Sequence, residues 1–155
     1  MILVNRWTRR ALSPVTPMNK PYLHHVLIAV EDIERARQFY TGVLELEEIG
    51  RPTFDYPGIW YNIGDGQQQL HIIVRSEAML RRNKPNDVYD IHFALRMNGY
   101  RDTLARLREK GFSDDVPDDD LRKMFLRPPS VAGYAQIYIL DPDRNIIEFN
   151  FETMD

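Results

Sequence analysis

The chain predicts an α+β fold: paired βαβββ modules whose strands form an open, curved mixed sheet, with the helices outside. Three observations carry this expectation. Short β-rich runs and amphipathic helices follow one another in the same order twice along the chain. A metal-capable side chain interrupts the strand that opens and the strand that closes each half. His25 and Ile33 stand eight residues apart, as do His92 and Tyr100, so strand and helix keep one spacing in both halves. Residue identity between the halves is low; the repeat is one of element order and placement.

The first strand is Tyr22–Val30, a β-rich run with His24 and His25 inside it. Glu31-Asp32 opens a helix through Tyr40, with Asp32 as N-cap, and Gly42 stops it. Ile33, Ala36, Phe39 and Tyr40 fall on one face of that helix. Leu46–Arg51 and Ile59–Ile63 read as strands separated by Pro52 and Pro57. Gly64-Asp65-Gly66 is a hairpin turn leading into Gln69–Val74. Residues 75–88 form a polar connector.

The order then repeats. Asp90–Met97 is a strand, and Gly99–Lys110 a helix with Tyr100, Leu104 and Leu107 on its apolar face, ended by Gly111. Phe112–Val116 reads as a short strand and Pro117–Ser130 as a long charged loop holding Asp118-Asp119-Asp120. Tyr134–Leu140 is a strand, Asp141-Pro142-Asp143 a tight turn, and Asn145–Phe151 the closing strand. Residues 1–20 mix Arg, Pro, Ser and Thr without a period and are expected to be a flexible arm. Residues 21–155 form one domain, with modules at about 22–75 and 89–151.

Composition narrows the function classes. At 155 residues, 43% hydrophobic and 28% charged, the chain has ordinary globular values. Its net charge of −3 offers no footprint for nucleic acid. Four of the basic residues lie in 1–20, which carry no acid, so the remainder is mildly acidic. No apolar run approaches the ~20 residues of a membrane span, and the first segment lacks the apolar stretch of a secretory signal. A cytoplasmic location is the default. With no cysteine, any metal must sit on nitrogen and oxygen ligands.

A polar group inside an apolar strand costs free energy unless something pairs with it. Tyr22–Val30, Leu70–Val74, Asp90–Leu95 and Arg144–Asn150 each carry such a group, and convergence on one metal ion would explain all four. Register refines the picture, because side chains on a strand alternate between faces. If His25 faces the site, so do Leu23 and Leu27, while His24, Val26 and Ile28 face the helices. Around Glu148 the inward set is Ile146, Glu148 and Asn150, with Ile147, Phe149 and Phe151 packing outward. Three imidazoles and a carboxylate suit Zn, Ni, Fe or Co better than Mg or Ca. Trp60, Tyr61 and Tyr138 are candidates for lining the cavity, with ordinary core packing the alternative. Arg51, Arg75 and Arg127 could clamp an anionic tail, against a plainer reading as solvated arginines.

The sequence resembles the vicinal oxygen chelate superfamily, which holds glyoxalase I, fosfomycin-resistance thiol transferases, extradiol dioxygenases and bleomycin-resistance binding proteins. The resemblance rests on His25 through Asp32, Ala36 with Phe39-Tyr40, Leu70-His71-Ile72, Asp90-Ile91-His92-Phe93-Ala94, and Asp141-Pro142-Asp143 with Ile147-Glu148. It implies a divalent ion held by His25, His71, His92 and Glu148. It further implies a homodimer and a small-molecule substrate that chelates through two adjacent oxygens. The activity implied is a glyoxalase-type lyase or isomerase acting on a hydroxycarbonyl or thiol adduct through an enediolate, with Glu148 as the base. The alternatives are a dioxygenase or thiol transferase with His71 outside a three-ligand site, or a non-catalytic binder. Two departures touch loops: Leu44-Glu45 where the family has Leu-Gly, and Arg144 where it has a turn glycine. At the second, Asn145 is expected to take the unusual dihedral.

Overall fold

The computed structural model describes residues 21–75, 84–131 and 133–155. The arm at 1–20 and most of the connector lie outside the described residues. The observed order is β1 (His25–Val30), α1 (Ile33–Gly42), β2 (Glu48–Ile49), β3 (Gly58–Ile63), β4 (Gln68–Val74), β5 (His92–Met97), α2 (Tyr100–Glu109), β6 (Phe125–Arg127), β7 (Ala135–Leu140) and β8 (Ile146–Phe151). It is βαβββ twice. The strands make two four-stranded mixed sheets, ordered β1-β4-β3-β2 and β5-β8-β7-β6. In each, the first and last strands of the module pair in parallel and the rest run antiparallel. The sheets remain open rather than closing into a barrel.

Local chemistry accounts for the helices. Asp32 caps α1 by accepting from the backbone N–H groups of Glu34 (2.8 Å) and Arg35 (3.0 Å). Ala36, Phe39 and Tyr40 are its buried face. Gly99 enters α2 at φ 71°, and Gly111 leaves it at φ 86°, a left-handed backbone that favours glycine. The buried face of α2 is Tyr100, Thr103 and Leu107, with Leu104 only half-buried.

Both modules feed one apolar core. Val26, Ile28 and Val30 of β1, Phe39 and Tyr40 of α1, Leu107 of α2 and Ile147, Phe149 and Phe151 of β8 all belong to it. The expected alternation therefore holds on β1 and β8. A second small cluster on the other face of β7 and β8 gathers Tyr138, Leu140 and Ile146 with Val88 and Phe125. The Asp141–Asn145 turn joins the halves. Tyr40 donates its hydroxyl to Asp141 Oδ2 at 2.8 Å, Arg35 donates to Asp143 Oδ1 at 2.8 Å, and Asn145 Nδ2 donates to the Ala29 carbonyl at 3.1 Å. Among the described residues no helix is long and apolar enough to cross a membrane.

Three expectations are corrected. Phe112–Val116 is not a strand. Phe112 N–H donates back to Leu107 C=O and its ring is buried, leaving only an isolated bridge between Ser113 and Lys123. The strand of that module is β6, inside the segment expected to be loop, where Phe125 and Leu126 are half-buried against β7. Leu46–Arg51 shrinks to Glu48–Ile49. At the second departure, Arg144 itself takes the left-handed dihedral, φ 67°, rather than Asn145. Its guanidinium donates to the carbonyls of Lys84 and Asp119 at 3.1 and 2.6 Å, while Asn145 is tied to Asp141.

Candidate functional site

The four residues singled out in the sequence fall into two pairs, one per sheet. In the first sheet His25 opens β1, and His71 on β4 stands opposite Leu27, two residues past His25. In the second sheet His92 opens β5, and Glu148 on β8 stands opposite Ala94, two residues past His92. The register is the same in both modules. Each pair lies on the sheet face turned away from the shared core.

The pairs differ in local chemistry. The rings of His25 and His71 stack with centroids 4.3 Å apart, and Trp60, directly across from His71 on β3, stacks on its other side at 4.1 Å. His71 Nε2 donates to Gln69 Oε1 at 2.8 Å, which leaves Nδ1 as the nitrogen with a lone pair. Burial holds the His71 pKa down at about 4, with the nearby His25 and His24 adding to the effect. His71 is therefore a neutral imidazole at physiological pH, the form a metal needs.

In the second pair, His92 Nδ1 lies 2.7 Å from the Asp90 carbonyl, which can only accept. In the neutral ring that bond places the lone pair on Nε2, and Nε2 points at Glu148 Oε2 from 3.0 Å. Two acceptors facing one another at that distance need a proton or a cation between them. The backbone carbonyl acts here as an outer partner that fixes which nitrogen is presented. Glu148, only 4% exposed, also accepts from Gln136 Nε2 at 2.9 Å and Asn150 Nδ2 at 3.4 Å. Asn150 Oδ1 is buried without a hydrogen-bond partner. Gln136 donates to Tyr138 Oη as well, at 2.8 Å. Burial, with the Glu148 charge beside it, pushes the Tyr138 hydroxyl up to about 12, so it stays a neutral hydroxyl.

Among the described residues no point in the chain gathers three or more metal-capable side chains. Each pair offers two donors, nitrogen alone in the first and nitrogen with oxygen in the second, and the two pairs are not brought together within one chain.

The remaining candidates separate cleanly. His24 is exposed, its Nδ1 3.0 Å from His25 Nδ1. Trp60 and Tyr138 lie beside the two pairs. Tyr61 is wholly buried in the core against Tyr40, one register position off the site face. Arg127 stacks on Tyr89 at 5.2 Å. Gln69, Gln136 and Asn150 were not singled out as functional. Gln69 and Asn150 carry a signal in strand alternation, each two residues from a proposed ligand on the same face, whereas Gln136 lies across from Asn150 on the neighbouring strand, a pairing the sequence does not announce.

Paired βαβββ modules with metal-capable pairs at matching register define the class of protein. A family profile, the Glyoxalase/Bleomycin resistance protein/Dioxygenase superfamily, matches residues 22–149, and the chain belongs to that superfamily. No curated protein sequence matches it. Solved structures share the fold. A glyoxalase family protein from Bacillus anthracis is 22% identical with a TM-score of 0.65, the alignment covering 89% of this chain and 100% of that one. A lactoylglutathione lyase from Agrobacterium tumefaciens is 16% identical with a TM-score of 0.60, covering 86% and 96%. An antibiotic binding protein from a Streptomyces species is 17% identical with a TM-score of 0.62, covering 88% and 99%.

Proposed function

We propose that this chain is a metal-dependent lyase or isomerase of the glyoxalase type, acting on a small hydroxycarbonyl or thiol adduct. The observation that carries the reading is His92 Nε2 facing Glu148 Oε2 at 3.0 Å while the Asp90 carbonyl holds Nδ1. His25 and His71 of one protomer, with His92 and Glu148 of a second copy, would hold the ion in a homodimer. The exposed apolar side chains around the pairs support this arrangement. Leu23 and Leu27 are 64% and 52% exposed, Tyr89 and Ile91 83% and 86%, and a second copy would cover them.

A bound divalent ion supplies Lewis acidity toward two adjacent substrate oxygens. The chain's residues do the rest. Glu148 is the proton carrier, taking a proton from the carbon next to the carbonyl and returning it at the neighbouring carbon. Gln136 and Asn150 orient its carboxylate through Oε1. Tyr138 remains protonated beside it and is able to donate a hydrogen bond to a substrate oxygen.

A second reading has its own support. His71 is sandwiched between Trp60 and His25 with Nε2 engaged by Gln69, which suits a three-ligand site of His25, His92 and Glu148, as in a dioxygenase or thiol transferase. Metal analysis of purified protein, followed by His71→Ala, separates the readings. The first expects about one ion per protomer and loss of metal in the variant. The second expects metal retained. Below about 0.1 ion per protomer, both fail in favour of a small-molecule binding protein.

A further inference from the structure

The site face of the first sheet continues past His71 to two arginines that the metal reading leaves unused. Gln69, His71 and Ile73 share that face of β4, and Arg75 follows in the same alternation. Arg75 lies four residues from His71, about 13 Å along the strand direction. On β3, Trp60 stands across from His71 and Gly58 across from Ile73.

Gly58 is where the second arginine enters. A Cβ at this position would come within 3.4 Å of Arg51 Cζ and Nη2, and within 2.7 Å of the Ile72 carbonyl. The Ile72 carbonyl is what keeps position 58 a glycine, and the Arg51 guanidinium lies over the strand within van der Waals reach of that position. It is held there by a bond from Nη2 to the Tyr56 carbonyl at 3.2 Å, with Cζ 4.8 Å from the Phe54 ring centroid and 5.4 Å from that of Tyr56. Arg75 Cζ is 5.5 Å from the same Tyr56 ring.

Two cations therefore share one aromatic ring, and among the described residues neither has an ion-paired carboxylate. Arg51 Nε is moreover buried with no hydrogen-bond partner. Aromatic faces attract these guanidiniums only weakly; an anion reached by both would be held far more strongly, through charge-assisted and bidentate bonds. We propose that Arg51 and Arg75 form an anion-binding subsite taking a carboxylate or phosphate group of the substrate. The substrate is then an extended anion, its charged end at Arg51 and Arg75 and its reacting oxygens toward His25 and His71. Only that last placement rests on the metal-site reading; the subsite does not.

The test is a titration of the full-length protein with inorganic phosphate, and separately with acetate, at low ionic strength. It is followed through the arginine Nε–Hε and tryptophan indole resonances in NMR. Saturable shifts are expected at Arg51, with affinity weakened roughly tenfold or more in Arg51→Gln and in Arg75→Gln, and partly restored in Arg51→Lys. Stronger binding of phosphate assigns a phosphate group, and comparable binding of acetate a carboxylate. No saturable shift, or equal affinity in the glutamine variants, overturns the subsite. Wild-type protein that lacks metal yet binds phosphate supports it while removing the metal reading.

Discussion

The imidazole of His71 and the indole of Trp60 lie face to face, centroids 4.1 Å apart and planes 5° from parallel. With His25 on the other side, His71 is walled by rings and loses most of its water. Its pKa of about 4 follows chiefly from that burial. The unfolded chain takes up this proton near 6.5 and the folded chain near 4, so the neutral ring's contribution to stability is fully present above pH 6.5 and is lost as pH falls between those values. An NMR titration should find the His71 ring neutral down to about pH 5. Trp60→Ala, which opens one face to water, should move its midpoint up toward the ordinary value of about 6.5.

Asp141 carries the opposite sign. Burial raises its pKa to about 6 despite the hydrogen bonds from Asn145 and Tyr40. Its contribution is fully present below about 3.8 and is lost as pH rises through about 6. Above that, Tyr40 donates to an ionised, buried acceptor. Tyr40→Phe should therefore cost about 1.5–3 kcal/mol in urea unfolding at pH 8. A loss below about 0.5 kcal/mol would mean the bond between the modules is not held in solution.

Glu45 sits at φ 56° without glycine's freedom. A left-handed non-glycine residue costs about 1–2 kcal/mol, and the exposed Glu45 carboxylate gains little from Arg106. Glu45→Gly should raise stability by about 1 kcal/mol in the same assay. Arg144→Gly should give no such gain, because Arg144 spends its dihedral on two carbonyl bonds that glycine cannot make.

Much of this architecture was legible in the chain. Alternation placed Val26 and Ile28 against the core and His25, Leu23 and Leu27 on the open face. The eight-residue spacing from His25 to Ile33 and from His92 to Tyr100 marks the starts of β1, α1, β5 and α2. What escaped depended on tertiary context. Phe112 looked like a strand residue because apolar character alone does not distinguish a strand from a buried helix exit. Phe125 and Leu126 were masked by the charges around them. The orientation of Asn150 and Gln136 toward Glu148 and the seat of Arg51 over Gly58 depend on neighbours distant in sequence. Likewise, adjacency along a strand says nothing about which chain completes a site.

Glu148 has two proposed roles that one substitution can separate. Glu148→Gln keeps the size and one carbonyl oxygen but removes the proton acceptor and the negative charge. The bond from Gln136 to Oε1 can persist, so stability should change by less than about 1 kcal/mol. Turnover on a hydroxycarbonyl substrate should fall by about 10²-fold or more if Glu148 carries the proton. Metal content measured beside turnover tells whether the loss is of the base or of the ion.

The central claim is that His25 with His71 and His92 with Glu148 are two halves of one metal centre, completed between copies of the chain. It is tested most directly by mixing a His25→Ala/His71→Ala variant with a His92→Ala/Glu148→Gln variant, exchanging subunits, and measuring bound metal. Each variant alone should bind none. An equal mixture should recover about a quarter of wild-type content, since half of the dimers are mixed and each has one intact site. A mixture that stays metal-free while wild type binds stoichiometrically would contradict the account, because the halves would then have to meet within a single chain.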